Sequence, residues 1–147
     1  ELKSLIKIAN KNIKFLGLQS DAKIEELMST CRSFIYAGVE DFGIAPVEAL
    51  ASGAPVLAFR KGGVLDTISC YLENNKKICP TGILFKDQSV SNIYDMVQWF
   101  EDKKIWRNFN PEELNNHAQN FKVNKFLFKF ENTINLLCER SKKDKIF

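Results

Sequence analysis

Residues 40–59 read EDFGIAPVEALASGAPVLAF. A polar turn, a glycine, a short helix and a continuous apolar strand follow one another in this stretch. Pro46 suits the start of a helix, because a proline at the first helical position forfeits no hydrogen bond, and Gly53 suits its end. PVLAF (55–59) is apolar at every position, as a strand covered on both faces of a parallel sheet must be. Upstream, SFIYA (33–37) is a second such run. Two buried strands joined through a helix make a β–α–β unit, and the loop over 37–46 then leaves the carboxyl edge of the sheet, where ligands bind in folds of this kind.

The same punctuation extends outward. Leu2, Leu5, Ile6 and Ile8 predict the end of an amphipathic helix, and NIKFLG (12–17) predicts a strand stopped by Gly17. Ser20 and Asp21 offer caps for a helix that carries Ile24, Leu27 and Met28 at helical spacing, with Cys31 close behind. After Gly62 and Gly63 a short helix is expected through Tyr71, then a polar loop over 74–77 and a fourth strand, TGILF (81–85). Ser89 or Ser91 caps a helix reaching about Trp99, Pro111 opens another, and a last helix covers about 122–140. Its aromatic and aliphatic residues, Phe126, Phe128, Phe130, Ile134 and Leu137, are expected in the core together with Phe121, since large apolar side chains gain most from burial. The fold class is therefore α/β: a Rossmann-like, doubly wound parallel sheet with helices on both faces. Neither internal repeats nor a low-complexity linker divide residues 1–147, which are read as one domain.

Composition narrows the function. The 147 residues are 45% hydrophobic and 27% charged, and no apolar run approaches the ~18 residues of a membrane span. A net charge of +3 is too small to argue for nucleic acid. The tail with Arg140, Lys142, Lys143 and Lys145 could touch an anionic membrane surface, although a solvated chain end is the commoner reason for such a tail. Cys31, Cys70, Cys79 and Cys138 form no CxxC pair, which speaks against a metal site or disulfide framework and fits a reducing cytoplasm. His117 is the single histidine and has no evident triad partner, and no G-x-G-x-x-G follows a strand, as a dinucleotide-dependent dehydrogenase would need.

Chemistry concentrates between Glu40 and Glu48. If the helix starts at Pro46, the N–H groups of residues 43–45 point outward beside the positive end of its dipole, where an anion is favoured. Gly43 permits either a positive φ or a close approach of backbone to ligand. Glu48, expected on the first helical turn, has the two acceptor oxygens that match the hydroxyls of a ribose diol. An acidic first turn is also an ordinary helix cap, so spacing alone leaves both readings open.

EDFGIAPVEALASGAPVLAF followed by KGGVLDTI resembles the signature of the retaining glycosyltransferases of family 4, two-lobed enzymes of the GT-B fold. NIKFLG, DAKIEELMSTCRSFIYA, TGILF and FNPEELNNHAQNF come in the order they take in that family's C-terminal lobe. The wording around EDFGI and PVEA is most similar to the bacterial mannosyltransferases of lipopolysaccharide O-antigen. The resemblance implies that Glu40 meets the hydroxyls of the transferred sugar, that Phe42, Gly43, Ile44 and Ala45 present backbone to the sugar and diphosphate, and that Glu48 takes the ribose. Gly62, Gly63 and Asp66 stand at the family's GG-x-x-E element, with aspartate in place of glutamate.

It further implies a nucleotide-sugar substrate, GDP-mannose being favoured, and a saccharide or lipid-linked acceptor. The N-terminal acceptor lobe and the basic pair that neutralises the diphosphate would precede Glu1. On that reading the chain is a donor-binding lobe, inactive by itself, cytoplasmic or peripheral on the inner face of the membrane, with an open sheet edge able to pair in a dimer. No Asp-x-Asp pair is present to bridge a metal to the diphosphate, so neither metal nor cofactor is expected. A nucleotide-sugar epimerase lobe and a non-catalytic module of the same fold are the alternatives.

Overall fold

The computed structural model describes residues 2–73 and 79–144. Three parallel strands, β1 (Phe34–Tyr36), β2 (Val56–Phe59) and β3 (Gly82–Phe85), lie in the order β1-β2-β3, with Phe34 opposite Val56 and Leu57 opposite Ile83. Helices α1 (Leu2–Ile8) and α2 (Asp21–Thr30) precede the sheet, and α3 (Ile44–Ala51) and α4 (Val64–Thr67) follow β1 and β2. After β3 come α5 (Val90–Asp102), α6 (Pro111–Ala118) and α7 (Val123–Asp144). Helices cover both faces, which is the expected doubly wound class. The polar loop expected over 74–77 lies outside the described residues.

Burial explains the strand order. Val56, Leu57 and Ala58 are completely inaccessible, and β3 is buried throughout, so β2 and β3 need helices above and below. β1 alternates between half-buried and exposed and pairs on one edge only among the described residues. The core is completed by Ala49 and Leu50 of α3, Phe100 of α5, Phe109, and Leu114 of α6.

Local chemistry ends the elements where the sequence places the signals. Ser20 caps α2 by accepting from the Lys23 N–H, Ser89 caps α5 through Asn92, and Asn110 caps α6 with Pro111 in its first turn. At the end of α3, Gly53 takes φ +87°, its N–H donates to the Leu50 carbonyl, and the Ala54 N–H donates to the Ala49 carbonyl. These are the paired bonds of a Schellman motif, which turns the chain directly into β2.

Three expectations are corrected. Residues 12–17 form no strand: Ile13, Phe15 and Leu16 are exposed and have no ladder partner among the described residues, and a strand forms only where another takes its N–H and C=O groups. TGILF is accordingly the third strand. The helix in the signature begins at Ile44, two residues before Pro46, because Gly43 adopts a left-handed φ of +83° and turns the chain there. Proline is tolerated at the third helical position as well as the first, since neither N–H has a partner within the helix. Glu48 is thus the fifth residue of α3, on its second turn.

The third correction concerns α7. Phe126, Phe128 and Phe130 are 62%, 65% and 54% exposed, and Ile134 and Leu137 are also exposed. Helix α7 packs chiefly on the one-turn segment Gln119–Phe121, while Phe100, Phe109 and Leu114 already fill the space over the sheet. Of the six residues expected in the core, Phe121 alone is half-buried.

Candidate functional site

The chain leaves β1 at Tyr36 and crosses the carboxyl edge of the sheet through residues 37–43 before entering α3. Ladder geometry brings the next crossing, residues 60–63 after β2, alongside it. The two backbones then touch. The Gly63 N–H donates to the Glu40 carbonyl at 2.8 Å. A Cβ at Gly62 would land on that same carbonyl, and one at Gly63 would fall within 2.5 Å of the Phe42 Cα, the Phe42 carbonyl and the Asp41 carbonyl. Gly62 also has φ +77°. The glycine pair is therefore required by main-chain contact with the Glu40–Phe42 turn, and it holds that turn in place.

On the turn, Glu40 and Phe42 face outward and Gly43 is buried. No hydrogen bond from the backbone N–H of residues 41–45 is found among the described residues. The Ile44 and Ala45 N–H groups stand at the positive end of α3, where the start of a helix offers unpaired donors to an anion. Asp66, exposed on α4, and Lys61, exposed before Gly62, flank the same edge.

Glu48 lies around the side of α3. It lines a groove of about 310 Å³ between α2 and α3 together with Asp21, Glu25, Met28 and Ser52, and it is exposed there. The structure thus assembles Glu40, Phe42, Gly43, Gly62 and Gly63 into one contact cluster. Glu48 stands apart from it, on the flank facing α2.

Two contributors were not singled out from the sequence. Tyr36, the last residue of β1, carries its ring over Gly38, where an added Cβ would sit 3.2 Å from the ring carbon and from the hydroxyl. Glu40 follows four residues later, on the loop that leaves this strand. Hydrogen bonding to its carboxylate foremost, then desolvation and the carboxylate charge, push the Tyr36 pKa above the ordinary tyrosine range. The Gln88 side chain donates from Nε2 to the Ala37 carbonyl at 2.6 Å, tying the start of the loop to the β3–α5 connection. Period-two alternation along SFIYA would have flagged Tyr36 as the edge residue, whereas Gln88 carries no sequence signal.

His117, the single histidine, is not solvated. Instead it is half-buried, with Nε2 2.9 Å from the Thr67 carbonyl and its ring tilted against Phe121.

The Tyr36–Glu40 pair makes a measurable prediction. In Glu40→Gln the negative charge is gone, so the phenolate is no longer opposed and the Tyr36 pKa should fall toward its ordinary value. Ultraviolet titration of tyrosinate, with Tyr71→Phe and Tyr94→Phe background replacements, should show one group titrating earlier than in the protein with Glu40. An unchanged curve would mean the two side chains do not interact in solution.

Among the described residues no group of three metal-ligating side chains is found, and no helix is long and apolar enough to cross a membrane. Cys31, Cys70, Cys79 and Cys138 are unpaired; burial foremost raises the Cys31 thiol pKa, and hydrogen bonding to Glu113 foremost raises that of Cys79.

The arrangement defines a class: an α/β domain with a glycine-held loop and a helix N-terminus at the carboxyl edge of a parallel sheet. Within that class the chain belongs to the glycosyl transferases group 1 family, whose model matches residues 1–127. It is 38% identical over 79 residues to the alpha-1,3/1,6-mannosyltransferase ALG2 of Saccharomyces cerevisiae, covering 53% of this chain and 16% of the relative. For the protein of the same name from Candida glabrata the figures are 30% over 117 residues, 76% and 24%. Two solved structures share the fold. Sucrose-phosphate synthase from Thermosynechococcus elongatus superposes with a TM-score of 0.73 at 19% identity, over 95% of this chain and 34% of that one. Anabaena HepE in complex with UDP and glucose gives 0.67 at 21%, over 91% and 35%. The chain therefore spans about a third of the solved structures it resembles and a smaller share of these curated relatives.

Proposed function

We propose that this chain binds the donor in a retaining, metal-independent glycosyltransferase that moves a hexose, with GDP-mannose favoured, onto a lipopolysaccharide or other polysaccharide acceptor. The observation that carries the reading is the turn at residues 40–45. N–H groups without an internal hydrogen bond, a left-handed Gly43 and the N-terminus of α3 stand beside an exposed carboxylate, and two glycines pack against the turn.

Glu40 accepts hydrogen bonds from hydroxyls of the transferred sugar. Phe42, Gly43, Ile44 and Ala45 present backbone to the sugar and diphosphate, whose charge is met by the N–H groups and the dipole of α3. Preorganised donors of this sort stabilise the charge that develops on the departing diphosphate. The acceptor hydroxyl attacks from the face that the leaving group vacates, which preserves the anomeric configuration. Glu48, in its groove with α2, takes the ribose hydroxyls; in this reading the nucleoside lies along the flank of α3 and the diphosphate crosses its N-terminus. The family supports glycosyl transfer, the similarity to ALG2 mannosyltransferases hints at mannose, and the absence of an Asp-x-Asp pair supports a donor site without metal. Transfer would take place in the cytoplasm, at the inner face of the membrane if the basic tail engages it.

Thermal shift tests the reading. GDP-mannose, UDP-glucose and ADP-glucose are each titrated against the chain, and any ligand that binds only the folded form raises Tm. At 100 times Kd the gain is about 2.7 kcal/mol, a rise of several degrees for a chain of this size. Glu48→Ala should remove most of the shift. A shift that survives this replacement would reassign the ribose contact, and no shift with any of the three would refute donor binding.

A further inference from the structure

The turn at 40–45 has a second support on the side away from the glycines. Phe42 meets the ring of Phe121 edge to face, with centroids 5.9 Å apart and planes at 68°. Phe121 closes the single turn Gln119–Phe121 that joins α6 to α7. Behind it stands the His117 ring, at 5.7 Å and 57°. His117 is itself anchored by its Nε2 contact with the Thr67 carbonyl at the end of α4. A continuous path of contacts thus runs from the α4 terminus through His117 and Phe121 to the side chain of Phe42. The main chain of Phe42 is also the surface on which Gly63 closes. Residues 41–45 donate no backbone hydrogen bond among the described residues, so these side-chain and main-chain contacts bear directly on where the turn rests.

We infer that Phe121 is a positioning residue: through Phe42, its ring sets where the Glu40–Ala45 turn rests. The functional half of this inference rests on the donor-binding reading, and the conformational half does not. Aromatic pairs prefer the edge-to-face arrangement because the positive rim of one ring meets the negative face of the other. Leucine fills much of the same space without that preference, whereas tyrosine keeps the ring.

The experiment compares the chain with Phe121→Leu and Phe121→Tyr. Without ligand, exchange of the Gly63 amide, which is hydrogen-bonded to the Glu40 carbonyl, should be about 10-fold faster in the leucine variant, the loss expected for one aromatic pair. Amides of β2 and β3 should keep their rates, and the tyrosine variant should exchange like the parent. Calorimetric titration with GDP-mannose should show about 10-fold weaker binding for leucine and an unchanged affinity for tyrosine. Parental exchange rates in the leucine variant would overturn the inference. Acceleration spread equally over β2 and β3 would also overturn it, since that is general loosening, and so would a tyrosine variant that matches leucine. If the parent binds no nucleotide sugar, the donor reading fails and the exchange rates alone decide the role of Phe121.

Discussion

Gly63→Ala is expected to cost about 1–3 kcal/mol of stability and to weaken nucleotide-sugar binding on the order of 100-fold. The new methyl group would be driven into the Phe42 and Asp41 main chain, which are backbone atoms with no rotamer to escape through. The turn must then move by a large fraction of an ångström, taking Glu40 and the Gly43–Ala45 N–H groups with it. Displacement of that size is enough to lose the alignment on which donor contacts depend. Gly17→Ala is the control. Gly17 also has a positive φ, of +62°, but open space surrounds it. Only the intrinsic strain of a left-handed alanine, about 1 kcal/mol, should register there, with no effect on binding. Calorimetric titration and thermal melts of both variants decide the matter. An unaltered affinity in Gly63→Ala would detach the glycine pair from the site.

The largest effect on folding is expected from Phe100→Ala, about 3–5 kcal/mol and a fall in Tm of about 10 °C. Phe100 is 1% exposed and packs against Phe109 at a ring separation of 6.4 Å, so truncation leaves a hole that α5 and the sheet cannot close. Phe128→Ala on α7 should stay within about 0.5 kcal/mol, as that ring faces solvent. Chemical denaturation of the two variants separates the cases. Equal losses would place α7 in the folded core after all.

Much of the architecture was legible. The apolar runs at 33–37, 55–59 and 81–85 became β1, β2 and β3 because a strand that must be buried on both faces shows it in composition alone. Caps at Ser20, Ser89 and Asn110 followed the local rule that a side-chain oxygen takes an orphan N–H. The run at 12–17, which mixes Asn12 and Lys14 with its apolar residues, formed no ladder, since pairing needs a neighbour that a one-dimensional pattern does not contain. Helix α7 was misjudged for a related reason. Its apolar period is real, yet whether a face is buried depends on what lies opposite it.

For the site, the identities at Glu40, Gly43, Gly62 and Gly63 could be picked out by residue type, because few positions tolerate only glycine and few loops pair one with a carboxylate. Their mutual contact could not be read that way. It requires β1 and β2 to be adjacent and parallel, so that two loops separated in the chain emerge side by side. The same holds for Tyr36 beside Glu40, for Gln88 reaching Ala37 from 51 residues away, and for Phe121 against Phe42. Chemistry and local conformation are properties of short stretches and were settled by the order of amino acids. Which stretches meet was decided by the packing of the sheet and its helices, since burial acts on surfaces brought together in space and is indifferent to their distance along the chain.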